Sequence, residues 1–203
     1  MAQTATDRRS ALRDNLILIA EKRISETGLA SLRARDLASA AGCAVGAIYN
    51  VFGDLTDLVL AVNARTFDRL GTTVAASLNN APDDPTGQLV VMARAYHHFA
   101  AENHFAWRAL FDLERPSGQS APDWYLMEMG QLFRWIDGPL TTLFPSLPQP
   151  DRALLTRALF SAVHGIVLLG LDQASAGVPG DQIDRMIDLI LRQLTQSTPA
   201  APA

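Results

Sequence analysis

Apolar residues recur every three or four positions from Leu12 to Leu194, and strand-like alternation nowhere persists. A helix returns side chains to the same face every 3.6 residues, so this period makes the chain all-α. Leu12, Leu16, Ile19, Ala20 and Ile24 form the first stripe, and Gly28-Leu29 closes it as a C-cap signal. Two short helices follow, from about Arg33 to Ala41 and from about Val45 to Val51, broken at Gly42. Asp54, with Asp57 three residues on, reads as an N-cap and acidic first turn. It opens a long helix carrying Leu55, Leu58, Val59 and Val62 and ending near Asn79.

Asn79 to Pro85 is a turn-rich linker, after which a helix restarts near Thr86 with Leu89, Met92, Ala93, Tyr96, Phe99 and Ala100 on one face. Beyond a segment from Phe105 to Leu113 and a break from Arg115 to Pro122 comes a helix with Tyr125, Met129, Leu132, Ile136 and Leu143. Pro145, Pro148 and Pro150 end it. Leu155, Leu159, Ala162, Ile166 and Leu169 mark the next helix, and Ile183, Ile187, Ile190 and Leu194 the last, with Gly177 to Gly180 between them. The expected architecture is about nine helices, with the first seven or so residues and the tail from Thr198 disordered.

At 203 residues the chain is long enough for a sizeable core, and with 48% hydrophobic and 19% charged residues it is too apolar for disorder. The uninterrupted apolar run Gly165 to Leu171 is far short of the roughly 18 residues a membrane span needs. Asp7, Arg8 and Arg9 stand where a signal peptide needs an apolar stretch, so a cytoplasmic protein without a membrane partner is expected. A lone cysteine, Cys43, forms no internal disulfide and reads as a small packing residue. The net charge of −4 divides into +2 for residues 1 to 53 and −6 for residues 54 to 203. An acidic total therefore does not count against a nucleic-acid partner.

The stretch Leu37 to Tyr49 carries the chemistry. Two short helices crossing at a tight turn need a small residue at the contact, a glycine in the turn and apolar residues locking the second helix. Ala38, Gly42, Val45 and Ile48 supply these. A helix-turn-helix presents its second helix to a major groove. Over residues 12 to 62 the chain resembles the TetR (tetracycline repressor) family of transcriptional regulators. The resemblance rests on Glu26-Thr27-Gly28-Leu29, Arg35-Asp36-Leu37-Ala38, Ala41-Gly42 and Gly46-x-hydrophobic-Tyr49-x-x-Phe52 at matching spacing. Trp107 to Phe111 and Ala162-Val163-His164-Gly165 resemble a subgroup with a Trp-His-Gly signature, although Phe160 stands where that subgroup places a Trp.

The resemblance implies an N-terminal three-helix DNA-binding domain (1–53) and a ligand-binding and dimerisation domain (54–203) reached through a connecting helix (54–79). Relatives often carry polar residues where this chain has Ala44, Val45, Ala47, Val51 and Leu55, so its recognition helix is poor in donors. Polar contact to double-stranded DNA then falls to Tyr49 and Asn50. Arg33 and Arg35, with Arg8, Arg9 and Arg13, are expected on phosphates or in a minor groove. Ala44, Val45 and Ala47 suit thymine methyl groups.

Residues 86 to 197 hold most of the aromatic mass, and most of it reads as core. The resemblance implies an effector pocket as well. Trp107, Phe111, Trp124, Met127, Phe133 and His164, on segments flanking the two breaks, are the expected lining, which suits a small hydrophobic or aromatic effector. Ala158, Ser161, Ala162 and Gly165 permit close helix approach. The last helix backs its apolar stripe with Asp181, Arg185, Asp188 and Arg192, so the last two helices are expected to pair two copies into a homodimer on a palindromic operator.

His98 shares a face with Glu102, near His97 and His104, but no ligand set at a recognised spacing appears, and no metal site or cofactor is expected. No nucleophile elbow, phosphate loop or catalytic carboxylate pair is visible, and no enzymatic activity is expected. Ligand-relieved repression through movement of the connecting helix is the expected mechanism. A helical protein-interaction module without DNA binding is the alternative.

Overall fold

The computed structural model describes residues 5–113, 120–172 and 177–195. Among them stand nine α-helices and no strand: α1 (Ala5–Thr27), α2 (Ala34–Ala41), α3 (Val45–Val51), α4 (Leu55–Ser77), α5 (Pro85–Glu102), α6 (His104–Ala109), α7 (Asp123–Leu143), α8 (Gln149–Leu171) and α9 (Gly180–Thr195). Residues expected to be disordered from Thr198 onward, and most of the break after Arg115, lie outside the described residues.

Several helices start earlier than their apolar stripes. Ala5, Thr6 and Asp7, expected to be disordered, already belong to α1. These first turns are exposed, so apolar period cannot register them. Pro148 and Pro150 do more than end α7: Pro148 is the N-cap of α8 and Pro150 lies in its first turn, where no intrahelical donor is required. With these turns included, α8 is by length and composition apolar enough to cross a membrane, at a mean hydropathy of 1.8 over its most apolar stretch, as is the bent pair α3 and α4. The short run Gly165 to Leu171 understates α8 because His164 interrupts the count but not the helix.

The chain forms two compact units. The first comprises residues 1–68 and 103–126, that is α1 to α3, the N-terminal part of α4, α6 and the start of α7. Leu16, Ala20 and Ile24 of α1 bury against Leu37 and Ala38 of α2, Ile48 of α3, and Leu58, Val59 and Val62 of α4. The α4 start is built as its sequence predicts: Asp54 Oδ1 accepts the Asp57 N–H at 2.8 Å, and Asp57 Oδ2 accepts the Gly53 N–H at 3.1 Å. Deeper in α4, Asn63 is fully buried and donates to the Ala109 carbonyl at 2.9 Å, pinning the end of α6. Arg65 donates to Glu21 at 2.8 Å, joining α4 to α1.

The second unit comprises residues 69–102 and 127–203. Here α5 packs against α9 and α8. Ile183, Ile187 and Leu191 are buried. Of the stripe expected on α9, Ile183 and Ile187 are internal to this unit, Ile190 is half-buried and Leu194 is exposed, because one amphipathic period says that a face is covered but not by what. Gly170 of α8 packs closely against Ile183 of α9. A Cβ there would lie 2.7 Å from Ile183 Cδ1. Asp84, just before α5, accepts the Gly87 N–H at 2.7 Å, so α5 is capped one residue before its proline start at Pro85.

Candidate nucleic-acid interface and effector cavity

In the first unit, α2 ends at Gly42 in the left-handed region (φ 65°), and the Cys43 N–H donates to the Ala38 carbonyl at 3.0 Å. Nothing lies within 4 Å of the place a Cβ would take, so glycine is required here by backbone geometry alone. Within α3 the buried residue is Ile48, which seats on Leu37 and Ala38, and Phe52 just beyond is buried as well. Val45, expected to help lock the two helices together, is 37% exposed. It stands at the start of α3, where the chain has only begun to turn into the core.

The outer surface of α3 presents Val45, Tyr49 (47% exposed) and Asn50, with Ala44 exposed at the N-cap and Ala47 half-buried. Ala44, Val45, Tyr49 and Asn50 are thus all exposed to solvent. Arg35 is exposed in the first turn of α2. Arg33 is exposed too, but its guanidinium donates to the Ala30 and Leu32 carbonyls at 2.7 and 3.0 Å, so it is held against its own turn. Arg8 and Arg9 are exposed on α1, whereas Arg13 lies over the Phe52 ring at 5.3 Å.

The second unit contains a partly open cavity of about 70 Å³. Its wall is Leu70 and Val74 of α4, Leu89, Met92, Ala93 and Tyr96 of α5, Leu132, Trp135 and Ile136 of α7, Leu159, Phe160 and Val163 of α8, and Leu191 of α9. Behind the wall the Tyr96 hydroxyl lies 2.7 Å from His164 Nδ1. The His164 ring stacks on Phe160 at 5.7 Å, and Phe133 meets Phe160 edge-on at 5.3 Å. No charged side chain lines the cavity.

None of the six residues expected at an effector pocket lines this cavity. Phe133 and His164 form the layer behind it. Trp107 is fully buried in the first unit, with its ring against His104 and Phe111. Phe111 and Trp124 are partly exposed in that unit, and Met127 is 66% exposed. Expecting the pocket beside chain breaks favoured aromatic residues near loops. The lining of this cavity comes from the middle of stripes that read as ordinary core, since a side chain facing a void and one facing a neighbour share the same period.

On the outer side of α8, Leu154 (65% exposed) and Leu169 stand in line with the exposed Ala158 and Ser161. On α9, Met186, Leu189 and Leu194 are exposed although Ile183, Ile187 and Leu191 are not.

Residues 89–194, just over half of the chain, match the family model described as tetracyclin repressor-like, C-terminal domain. The chain belongs to the TetR family. TetR-family proteins are transcriptional regulators rather than enzymes. The fold agrees across almost the whole length with solved structures. One is a Rhodococcus sp. RHA1 protein described as of unknown function, with TM-score 0.69 and 22% identity, covering 91% of this chain and 96% of that one. Another is RolR in complex with resorcinol, with TM-score 0.68 and 19% identity, covering 96% of this chain and 92% of that one. FadR from Bacillus subtilis, in complex with stearoyl-CoA, has TM-score 0.66 and 18% identity and covers 90% and 97% of the respective chains. No curated protein matches by sequence.

Proposed function

We propose that this TetR-family regulator is a cytoplasmic homodimeric repressor, released from a palindromic operator by a small, uncharged, hydrophobic or aromatic effector. The observation that carries the reading is the apolar cavity, whose wall includes Leu70 and Val74 of the helix that also supplies Leu58, Val59 and Val62 to the helix-turn-helix core. The ligand-bound states of RolR and FadR support a ligand-responsive regulator.

Residues 1–53 form the DNA-binding domain, with 54–79 connecting it to an effector and dimerisation domain that runs to residue 203. Ala44, Val45, Ala47, Tyr49 and Asn50 face base edges, and Arg33 and Arg35 hold phosphates. Two copies pair through the exposed faces of α8 and α9, where Leu154, Leu169, Met186 and Leu189 stay uncovered in the single chain. Symmetric half-sites about one helical turn apart follow from a two-fold dimer.

A cavity of about 70 Å³ is roughly half the ~150 Å³ that admits benzene, so full enclosure of an effector requires its wall to move. Displacement of Leu70 and Val74 then shifts α4 and changes the separation of the two recognition helices. Operator affinity falls by the difference in effector affinity between the two states. Phe133 and His164 act through Phe160 and Tyr96, setting how far the wall can yield. Trp107, Phe111, Trp124 and Met127 are the outer alternatives for effector contact.

The test is footprinting of the purified dimer on DNA flanking its own gene, with a panel of apolar and charged small molecules. Two protected half-sites, lost on addition of an uncharged apolar compound, are expected. Protection that is absent, or that yields only to highly charged metabolites, refutes the reading.

A further inference from the structure

Outside the cavity and the reading face, the second unit gathers three metal-ligating side chains, two adjacent on α5 and the third from α9. His97 Nδ1 lies 2.8 Å from Asp184 Oδ1, and His98 Nε2 lies 3.1 Å from Asp184 Oδ2. Neighbouring residues on a helix point about 100° apart. His97, whose side chain is buried, and His98, 59% exposed, therefore both reach the one carboxylate, each at its own oxygen. Sequence spacing pairs His98 with Glu102 along α5. The fold instead supplies the carboxylate from α9.

All three donor atoms lie within 4.8 Å of one another. A tetrahedral zinc at about 2.0–2.1 Å from each ligand holds its donors roughly 3.3 Å apart, so the two nitrogen–carboxylate separations are already near those of chelation, and the two ring nitrogens, within 4.8 Å of each other, have to close on a common point. Two neutral imidazoles and one carboxylate suit a borderline divalent transition metal and leave a fourth position open to water. Neighbouring positive charge is already matched: Arg94 of α5 and Arg192 of α9 both engage Asp188, one turn beyond Asp184, at 3.6 and 3.0 Å. Exposed His98 gives the ion a way in.

We propose that His97, His98 and Asp184 form a binding site for a divalent transition-metal ion, zinc foremost, that cross-links α5 to α9. On binding, each neutral imidazole carries its proton on the ring nitrogen away from the metal, Nε2 of His97 and Nδ1 of His98, and the bonding nitrogen exchanges its hydrogen bond to the carboxylate for a bond to the metal. The site sits immediately after Tyr96 on α5, so a bound ion stiffens one wall of the cavity from its outer side.

Full-length protein, freed of any affinity tag and stripped with a chelator, is titrated with zinc chloride by calorimetry, and its thermal midpoint is recorded with and without zinc. One zinc per chain and a raised midpoint are expected. His98→Ala, at an exposed position, and Asp184→Asn, which keeps the side chain's shape, should each weaken binding by about tenfold or more. No binding to the parent protein, or an affinity unchanged in either variant, overturns the proposal.

Discussion

Ala93→Leu separates a genuine void from a mere gap between helices. Ala93 is buried on α5 and lines the cavity, and leucine is nearly as good a helix former as alanine, so the substitution acts on packing and little else. Cavities in cores destabilise by about 24 cal/mol per Å³. Complete filling of about 70 Å³ thus gains at most ~1.7 kcal/mol. Imperfect fit against Leu159 and Val163 takes back part of that, leaving about 0.5–1.5 kcal/mol, the range of ordinary cavity-filling substitutions. A chain of this size gains about 2–4 °C in melting temperature per kcal/mol. Chemical denaturation measures the stability, and the operator footprint, with and without effector, measures the response. The variant should be more stable, bind the operator as the parent does, and no longer release it when effector is added. A destabilised variant refutes the void, and a stabilised variant that still responds refutes its role as the effector site.

Gly170→Ala places a methyl group 2.7 Å from the fully buried Ile183, and a loss of about 1–3 kcal/mol in equilibrium unfolding is expected. Asp54→Ala removes the acceptor for the Asp57 N–H and should cost about 1 kcal/mol by the same measurement. Arg35→Ala should weaken binding to specific and random DNA alike and lower the slope of log affinity against log salt by about one, whereas Asn50→Ala should alter site preference with the slope unchanged. Equal effects of the two in competition binding would remove that division of labour.

Where structure depends on neighbours in sequence, the chain declares itself. The bounds of α3, the left-handed Gly42 and the Asp54–Asp57 cap are all written within a few residues, because turn and cap chemistry acts over that distance. The cavity and the histidine cluster are not legible in this way. Leu70 and Leu191 meet around one void, and His97 meets Asp184, across most of the domain's length, and nothing local marks either encounter. The α9 stripe lies between these cases. Its period is plain, but Ile183 and Ile187 bury within the chain, while Met186 and Leu189 on the flank remain exposed. Helical period reports that burial occurs and is silent on its object.

Ile48 is the buried residue of α3, and with Phe52 it seats the recognition helix. The positions at its outer surface owe the fold almost nothing. Ala44, Val45, Tyr49 and Asn50 can therefore be exchanged at little cost to the stability of the domain, and under their proposed DNA-reading role new operator preferences are open to selection, or to a protein engineer, one residue at a time. Few surfaces in a protein allow specificity to drift so independently of folding.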